Sequence, residues 1–317
     1  MNRLTVSRRL FGAAVGYLLD RRLGEPAEDI HPLMFFGRLM AVTEQVLYRD
    51  RRISGVAYLA SGVGVGLLGG SVFASTAGAT YLSCGGQALV DTAGVVDEAL
   101  ASGDLDLARL EVRSLVGRDT ESLSEDEIVR AVVESVAENT VDAVVAPLVY
   151  ASLCGSKGAL GYRAVNTLDA LVGHRSERYE RFGWASARCD DLLNYVPARL
   201  TVLLVLLARP LRVVEVLRTV RRDASVHPSP NAGVVEAAFA GALGIRLGGE
   251  NSYGGITEMR GELGRGRTPE RGDIARAQQL SREVGELFVT GAVTLAIYTL
   301  YKGIGIFERQ SAVRSGS

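Results

Sequence analysis

The chain has 317 residues, with 35 basic and 36 acidic side chains and a formal net charge of −1. Apolar residues make up 47% of it and charged residues 22%, which excludes an intrinsically disordered protein. With a net charge near zero, the chain does not have the excess of basic residues that is typical of a general nucleic-acid-binding protein, so we expect no nucleic acid partner. The three cysteines, Cys84, Cys154 and Cys189, have neither the spacing of a metal site nor an even number for pairing.

The first predicted element is an N-terminal helix. Residues 7–11 (SRRLF) resemble a twin-arginine export signal, and an apolar run over 10–19 follows them. That run ends at Asp20 and two arginines without a small-residue cleavage site. We therefore expect a helix of the mature protein rather than a cleaved signal peptide.

The long uncharged stretch 53–90 is the strongest membrane signal. It holds 38 residues without a charge, nine of them glycine. A membrane-spanning helix needs about 20 apolar residues, and small residues let such helices approach closely. The stretch predicts a transmembrane hairpin with its break near Gly69 and Gly70, although a buried glycine-rich core of a soluble protein is the alternative. A second candidate span covers 287–307, with Lys302 near its end.

The arginines predict the orientation. Arg49, Arg51 and Arg52 precede the uncharged stretch, and the positive-inside rule places them in the cytoplasm. A hairpin would return the chain to that side, so 91–285 is expected to be a cytoplasmic-side helical region. Its apolar segments 143–156 and 200–217 are expected to be short or re-entrant. The sequence thus predicts a mostly α, polytopic inner-membrane protein, with one membrane-embedded domain over 1–317 and a polar active region formed by several segments.

Helix signals and an internal echo organise the middle of the chain. Ser124 and Glu127 fit a capping box, and a helix is expected to follow over 130–143. Residues 139–145 (NTVDAVV) are echoed by 166–172 (NTLDALV). The two copies suggest paired helices that present Asn and Asp to a shared cleft, with chance resemblance as the alternative.

A stripe of carboxylates is the densest candidate site. Glu134, Glu138 and Asp142 follow one another at four-residue spacing, with Asn139 beside them. Like charges on one helical stripe repel, so the stripe is either well solvated or neutralised by a cation. Oxygen ligands of this kind suit Mg²⁺. Both interpretations remain open from the residues alone.

Three further groups hold polar side chains in apolar surroundings. The arginines of the first group are suited to bind phosphate or carboxylate groups, or alternatively lipid head groups. The second group is either another candidate cation site or a local helix cap. The third combines a rigid His-Pro-Ser-Pro turn, a helix start near Asn231 that would suit an anion, and a glycine-rich loop at 248–255. The groups are Arg163, Asn166, Asp169, His174, Arg175, Arg178 and Arg181; Arg188, Asp190, Asp191, Asn194, Tyr195 and Arg199; and His227, Ser229, Asn231, Glu236 and Asn251, with His31 in a second His-Pro pair near the start.

Several of these segments together resemble one family. They are 16–20 (GYLLD), 23–26 (LGEP), 134–140 (ESVAENT), 162–169 (YRAVNTLD), 182–188 (FGWASAR) and 227–233 (HPSPNAG). In this order, over about 12–282, the chain resembles the adenosylcobinamide-phosphate synthase family of cobalamin biosynthesis, called CobD or CbiB. It departs from the family at Glu25, where Asp is expected, and at Val234-Val235, where an aromatic-Pro pair is common.

The resemblance implies an amide-forming ligase. The family uses ATP to join aminopropanol phosphate, or ethanolamine phosphate, to a propionate carboxyl group of adenosylcobyric acid. It also implies a bilayer location, and leaves open a homo-oligomer or an assembly with other cobalamin-assembly membrane enzymes. For this chemistry we expect Mg²⁺ and an acyl-phosphate intermediate.

Roles follow for the candidate residues under that reaction. The expected catalytic residues are Glu134, Glu138, His174 and His227, with one histidine as the base that deprotonates the amine. The expected metal ligands are Glu134, Glu138, Asp142, Asp169, Asp190 and Asp191. Substrate and phosphate binding falls to His31, Asn139, Arg163, Asn166, Arg175, Arg188, Asn194, Arg199, Ser229, Asn231, Glu236 and Asn251.

Two other functions compete with the synthase. One is a non-catalytic membrane sensor of the related family linked to β-lactamase induction. The other is a membrane transferase that acts on lipid-phosphate substrates, for which Asn and Asp in apolar surroundings would also be suitable.

Overall fold

A computed structural model describes residues 3–26, 31–73, 75–117, 119–174, 176–253 and 256–315. Side chains are described up to residue 249 and from 261 to 302 within those ranges. Helices account for 79% of the structure, which confirms the expected mostly α class.

The described residues form thirteen α-helices and one β-hairpin. A π-helical turn, Val141–Val145, joins the seventh helix to the eighth, and short 3₁₀ turns cover Val112–Ser114, Pro210–Arg212 and Ala224–Val226. The elements are α1 (Arg3–Leu23), α2 (Pro32–Leu47), α3 (Arg52–Val72), α4 (Thr76–Ser83), α5 (Gly86–Ala101), α6 (Leu105–Glu111), α7 (Glu125–Thr140), α8 (Ala146–Cys154), α9 (Ser156–Val172), α10 (Trp184–Ala208), α11 (Val213–Asp223), α12 (Ala232–Leu243), β1 (Leu247–Tyr253), β2 (Ile256–Leu263) and α13 (Gly272–Ser315).

The chain divides into two compact units, where the sequence predicts a single domain. Unit 1 contains Met1–Cys84, Pro147–Ala187 and Phe288–Ser317, and unit 2 contains Gly85–Ala146 and Arg188–Leu287. Each unit is therefore built from segments that are distant in sequence. Such long-range pairing is not visible in local periodicity.

Glycines on α3 let it lie directly against α9 in unit 1. A Cβ atom on Gly66 would lie 2.7 Å from the Cβ of Ala164 and 2.9 Å from the carbonyl oxygen of Leu160. One on Gly70 would lie 2.5 Å from the Cα of Lys157. Any side chain at these positions would force the helices apart. A core of Met40, Tyr58, Leu168, Val172 and Phe182 lies in the same unit.

Three helical segments are long and apolar enough to cross a membrane: Arg52–Val72, Trp184–Ala208 and Gly272–Lys302. The second half of the expected hairpin over 53–90 does not form a spanning helix. Helix α3 ends at Val72, and Ser75 caps the start of α4. Because α4 has eight residues, it is about 12 Å long, whereas a bilayer core is about 30 Å thick. Counting charges cannot detect these breaks.

The expected apolar segments fare differently. The segment 200–217 does not form a short re-entrant helix, because its apolar part is the second half of α10, a 25-residue candidate span. Charged residues that precede Leu200 in α10, such as Asp190 and Arg199, interrupt the uncharged run, so the full length of this span is not visible from the spacing of charges. By contrast, 143–156 contains only the short α8 and parts of its neighbours, and 287–307 lies inside α13.

Unit 2 packs α7 and α12 with the β-hairpin. Ser124 and Glu127 form the predicted capping box, so α7 begins where the sequence indicates. Val132, Phe239, Leu247 and Leu263 are fully buried in this unit. The antiparallel pairing of β1 with β2 replaces the expected loop over 248–253, where the register shifts at a bulge between Leu247 and Gly249. Gly254 and Gly255, the end of the expected loop, lie outside the described residues.

Candidate functional site

Unit 1 gathers a buried polar cluster from four elements. Asp20 at the end of α1 is 1% exposed, and His31 before α2 is 5% exposed. Cys84 follows α4 and Arg163 lies on α9. Burial raises the pKa of the Cys84 thiol well above its ordinary value, Asp20 raises it further, and Arg163 opposes the shift. This thiol therefore stays protonated, and the charged members of the cluster are Asp20 and Arg163.

His31 has a structural task besides any binding task. Its Nδ1 accepts a hydrogen bond from the backbone N–H of Leu33 at 3.1 Å, so the ring caps helix α2. Burial lowers the pKa of His31, the Glu25 carboxylate opposes that shift, and the Arg163 guanidinium adds to it. The imidazole is therefore neutral near pH 7, with Nδ1 as the acceptor and the proton on Nε2.

Arg163 is a half-buried cation of unit 1. Its Nη1 lies 3.4 Å from Asn166 Oδ1 on the next turn of α9, and Asp169 follows on the same helix. Its Nε is buried and has no hydrogen-bond partner among the described residues. A buried guanidinium N–H without a partner is costly, so it marks a place where an anionic ligand would gain a strong contact.

The two remaining residues predicted in this region differ in what can be said of them. His174 is exposed after the end of α9, with its ring edge-on to Tyr179 at 4.9 Å between centroids. Arg175 lies outside the described residues, so its predicted binding role stays a prediction.

Unit 2 brings Arg199, Asn231 and Asp191 together. Arg199 donates to Asn231 Oδ1 at 2.7 Å and to the carbonyl oxygen of Pro230 at 3.0 Å. Asn231 in turn donates from Nδ2 to the carbonyl oxygen of Asp191 at 2.8 Å. Arg199 also stacks on Tyr195, with its guanidinium carbon 3.7 Å from the ring centroid. The arrangement joins α10 to the start of α12 and holds the guanidinium in one orientation.

The neighbouring acids of α10 have separate partners. Asn194 donates to Asp190 Oδ2 at 2.9 Å, and both side chains are buried. Asp191 lies 3.6 Å from Arg188, which is exposed. Consecutive residues of a helix point in different directions, so the two carboxylates do not converge on one point.

The predicted anion site at the start of α12 is filled by the protein itself. Ser229 Oγ accepts the backbone N–H groups of Asn231 and Ala232 at 3.3 and 3.2 Å. The N–H groups expected to bind an anion are therefore already used. The sequence pattern Ser-Pro-Asn fits a local cap as well as it fits a ligand site.

His227 and Glu236 form a buried pair. The backbone N–H of Ser229 donates to His227 Nδ1 at 3.0 Å, and His227 Nε2 lies 3.5 Å from Glu236 Oε1. Their side chains are 7% and 6% exposed. With Nδ1 accepting, the ring proton sits on Nε2 and faces the carboxylate, so this histidine is oriented by two partners.

The three acids of the carboxylate stripe have different surroundings. Glu134 Oε1 accepts the backbone N–H of Gly248 at 2.8 Å and lies 3.9 Å from Arg130 Nε, which ties α7 to β1. Glu138 is exposed and Asp142 is half-buried in the π-helical turn, while Asn139 bonds back to Ser135. Arg130 also donates to the Gly248 carbonyl oxygen at 2.6 Å and was missed from the sequence, although its four-residue spacing from Glu134 was visible.

The echoed helices fall into different units. Asn139 and Asp142 belong to unit 2, and Asn166 and Asp169 belong to unit 1. Their local structures also differ, because the first copy enters a π turn and the second continues as regular helix to Val172. The two similar sequences therefore adopt different local backbone structures.

Comparison with known proteins assigns the chain to a family. The family model described as CobD/Cbib protein matches residues 13–281. The chain belongs to the CobD/CbiB family. Every candidate site residue named from the sequence lies inside that matched range.

Several curated relatives of the CobD/CbiB family are similar over most of their length. Cobalamin biosynthesis protein CobD of Mycobacterium tuberculosis H37Rv is 45% identical over 311 residues, which cover 94% of this chain and 98% of the relative. The protein of the same name from Klebsiella pneumoniae is 38% identical, covering 91% and 96%. That from Pelobacter propionicus is 41% identical, covering 79% and 84%. No solved structure matches the chain.

The carboxylates fit magnesium in a limited way. Among the described residues, no group of three or more His, Cys, Asp or Glu side chains is placed to hold a metal ion. Mg²⁺ in proteins is commonly held by one or two carboxylates together with substrate phosphates and water. The acids of this CobD/CbiB protein fit a magnesium ion that arrives with a phosphate ligand, and they do not form an all-protein cage. The side chain of Asn251 lies outside the described residues.

Proposed function

We propose that the chain is an adenosylcobinamide-phosphate synthase, which uses ATP to form an amide bond between a propionate carboxyl of adenosylcobyric acid and aminopropanol phosphate or ethanolamine phosphate. Its membership of the CobD/CbiB family, over a matched range that contains all the candidate residues, is the observation that carries this proposal. The names of its relatives support a role in cobalamin biosynthesis.

The reaction proceeds in two steps. A carboxylate oxygen of the corrinoid attacks the γ-phosphorus of ATP, the bond to the bridging oxygen breaks, and ADP leaves. The amine nitrogen then attacks the acyl carbon of the acyl phosphate, the C–O bond breaks, and inorganic phosphate leaves. The attacking ammonium group must first lose a proton to a base. Phosphoryl transfer of this kind depends on positioning and on cationic groups more than on covalent help.

Arg199 and Arg163 are the guanidinium groups best suited to hold anions. Arg199 is fixed by Asn231 and by stacking on Tyr195, so little conformational entropy is lost when it binds. Arg163 has a buried Nε that finds no partner among the described residues. Each is proposed to contact a phosphate or carboxylate group of a substrate bound at its own unit.

His174 is a better base than His227 on this geometry. The Nδ1 of His227 accepts a backbone N–H, and its Nε2 proton faces Glu236, so the ring presents no acceptor to a substrate amine. His174 is exposed, where proton exchange with substrate and solvent is open. His227 and Glu236 are then positioning residues for the turn before α12.

Magnesium and the membrane complete the proposal. When bound, Mg²⁺ would neutralise the phosphates of ATP, and exposed Glu138 or half-buried Asp191 would each fit as a single protein ligand. We place the protein in the inner membrane with its polar segments facing the cytoplasm, where ATP is found. Because α3 lacks the expected partner in a hairpin, this orientation needs a direct test by reporter fusions at residues 170 and 240, and an outside location of either fusion would contradict it.

The reaction itself is tested with purified protein. The protein in detergent is mixed with adenosylcobyric acid, aminopropanol phosphate and Mg-ATP, and the amide product and ADP are measured by mass spectrometry. Equal amounts of both are expected. Turnover of a lipid phosphate without amide product would favour the transferase, and no turnover of either would favour a sensor.

One variant connects the site to the reaction. We expect Glu138→Ala to abolish amide formation while expression and membrane insertion stay normal, because the side chain is exposed and its loss leaves no cavity. Glu125→Ala on the same helix is the matched control, since that residue is also exposed and lies at the opposite end of α7. Near-normal turnover of Glu138→Ala would remove the stripe from the catalytic machinery.

A further inference from the structure

A cavity lined by arginines lies in unit 2, and none of its lining residues is among the candidate residues named above. Its volume is about 470 Å³, within the range of about 300–1,000 Å³ that is usual for small-molecule sites. Glu270 is the one carboxylate among its lining residues. Four guanidinium groups also line it, those of Arg209, Arg212, Arg267 and Arg276. A smaller cavity of about 150 Å³ shares Arg212 and Gly244 with it and adds Arg265 and Glu215.

Carboxylates hold three of these arginines in place. Asp273, which is fully buried, accepts Arg267 at 2.6 and 3.0 Å and Arg276 at 2.9 Å. Glu283 accepts Arg209. Anchored arginines lose little conformational freedom when a ligand binds, so the cavity is preorganised for an anion.

Arg212 is the exception among the four. In the part of the chain that the structure describes, no carboxylate lies within ion-pairing distance of it. It is exposed in the 3₁₀ turn between α10 and α11, and it lines both cavities. Its charge is therefore the least compensated in the group.

Glycines allow the backbone around Arg212 to close up. Gly244 ends α12 with a φ of +71°, and a Cβ there would lie 3.5 Å from Arg212 Nη2. A Cβ on Gly266 would lie 2.0 Å from the carbonyl oxygen of Gly244, so this segment tolerates only glycine. The backbone N–H of Arg246 donates to the carbonyl oxygen of Arg267 at 2.9 Å, which fixes the arginine-bearing turn against the end of α12.

We propose that the larger cavity binds the phosphate group of an anionic ligand, beside the uncompensated charge of Arg212. Guanidinium groups bind phosphate oxygens in pairs and remain charged at every physiological pH. Glu270 and Glu215 are among the lining residues, and Asp273 and Glu283 pair with three of the arginines, so the positive charge that remains is centred on Arg212. That charge, together with the paired N–H donors of the neighbouring guanidinium groups, suits a phosphate group.

Two sources supply such phosphates. Arg209 follows directly after the candidate span that ends at Ala208, and the candidate span Gly272–Lys302 begins five residues after Arg267. Phosphate groups of lipid heads and the phosphates of a soluble nucleotide are thus both within reach. The phosphate chemistry of the cavity stands without the proposed function, which bears only on the choice of source: an ATP-dependent synthase would use the nucleotide.

The test measures binding rather than turnover. The full chain is placed in nanodiscs of phosphatidylcholine, and the affinity for inorganic tripolyphosphate and for ATP is measured by isothermal titration calorimetry. We expect Arg212→Gln to weaken both at least tenfold, the typical loss of one charge-assisted contact. The matched control is Arg221→Gln, an exposed arginine on α11 that lines neither cavity. It should stay within twofold of the native protein.

A second arm separates the two sources. Nanodiscs that contain phosphatidylglycerol are analysed by native mass spectrometry for lipid retained by each variant. Lipid retention that depends on Arg212, without tripolyphosphate binding in phosphatidylcholine, identifies a lipid phosphate as the occupant. If neither ligand distinguishes Arg212→Gln from Arg221→Gln, the proposal is overturned. Arg212-dependent tripolyphosphate binding in a protein that forms no amide would instead overturn the proposed function and leave the cavity as a phosphate site.

Discussion

Asp273 offers the sharpest test of how the arginine cavity is held. Its carboxylate accepts two hydrogen bonds from Arg267, one from Arg276 at 2.9 Å and one from the backbone N–H of Glu270 at 2.9 Å. The side chain is fully buried, while the two arginines are partly exposed. Asp273→Asn keeps the shape of the side chain and removes its charge.

The cost of this change follows from burial. Removing one partner of a buried ion pair costs about 3–5 kcal/mol, because the remaining charge stays poorly solvated. Arg267 and Arg276 have side chains that are 41% and 54% exposed and can regain water, so we expect about 3 kcal/mol, at the lower end. Glu270→Gln is the matched control. It also pairs with Arg267, at 3.2 Å, but its side chain is 65% exposed, so we expect at most about 1 kcal/mol.

Urea unfolding in mild detergent, followed by far-ultraviolet circular dichroism, measures both effects. Tripolyphosphate affinity supplies an independent readout for the control. Glu270→Gln should strengthen binding because a negative charge leaves the cavity wall. Equal unfolding midpoints for the two variants, or weaker binding by Glu270→Gln, would refute this account of the cavity.

Three other predictions concern stability. Gly66→Ala should be about 1–3 kcal/mol less stable than Gly64→Ala in urea unfolding, because both gain the same helix propensity but only the first Cβ meets α9, while nothing lies within 4 Å of the second. Because the pKa of His31 is lowered in the folded protein, the unfolded chain takes up a proton at this residue at a higher pH than the folded chain does. The contribution of His31 to the free energy of unfolding should therefore be complete above pH 6.5 and decrease as the pH falls below it. His31→Asn should remove this pH dependence while keeping the helix cap. The ion pair with Arg222 lowers the pKa of Asp223 in the folded protein. The contribution of this pair to the free energy of unfolding should therefore be complete above pH 3.8 and be lost as the pH falls further. Asp223→Asn should show no such loss.

Local signals predicted the elements that depend on local chemistry. The capping box at Ser124 and the helix start near Asn231 are both confirmed, because each is decided by hydrogen bonds within four residues. The strand over the glycine-rich segment 248–253 was not predicted, for the opposite reason. Gly248 belongs to a strand, and its N–H and carbonyl groups bond to Glu134 and Arg130, over a hundred residues away. No local pattern carries such a pairing.

The membrane prediction failed where length and charge disagree. The stretch 53–90 has no charge, yet a break at Phe73 leaves α3 as its candidate span. Helix α10 contains Asp190 and Arg199, yet its 25 residues are long and apolar enough on average. In both places continuity of the helix decides, and continuity depends on capping and packing that a count of charges does not include.

The arginines differ in whether the protein itself supplies partners for their guanidinium groups. Arg222 and Arg130 have carboxylates or carbonyl oxygens close by, so their charges are compensated within unit 2. Arg163 keeps a buried Nε without a partner among the described residues, and Arg212 has no carboxylate within ion-pairing distance there. Because a guanidinium group with an unused buried N–H or an unpaired charge gains most from an incoming anion, these two positions, one in each unit, are where substitution should change ligand affinity without unfolding the chain. Arg163 could be selected from the sequence through its neighbours Asn166 and Asp169, but Arg212 could not, since the residues around Arg212 converge only when the turn at 264–267 folds onto the end of α12.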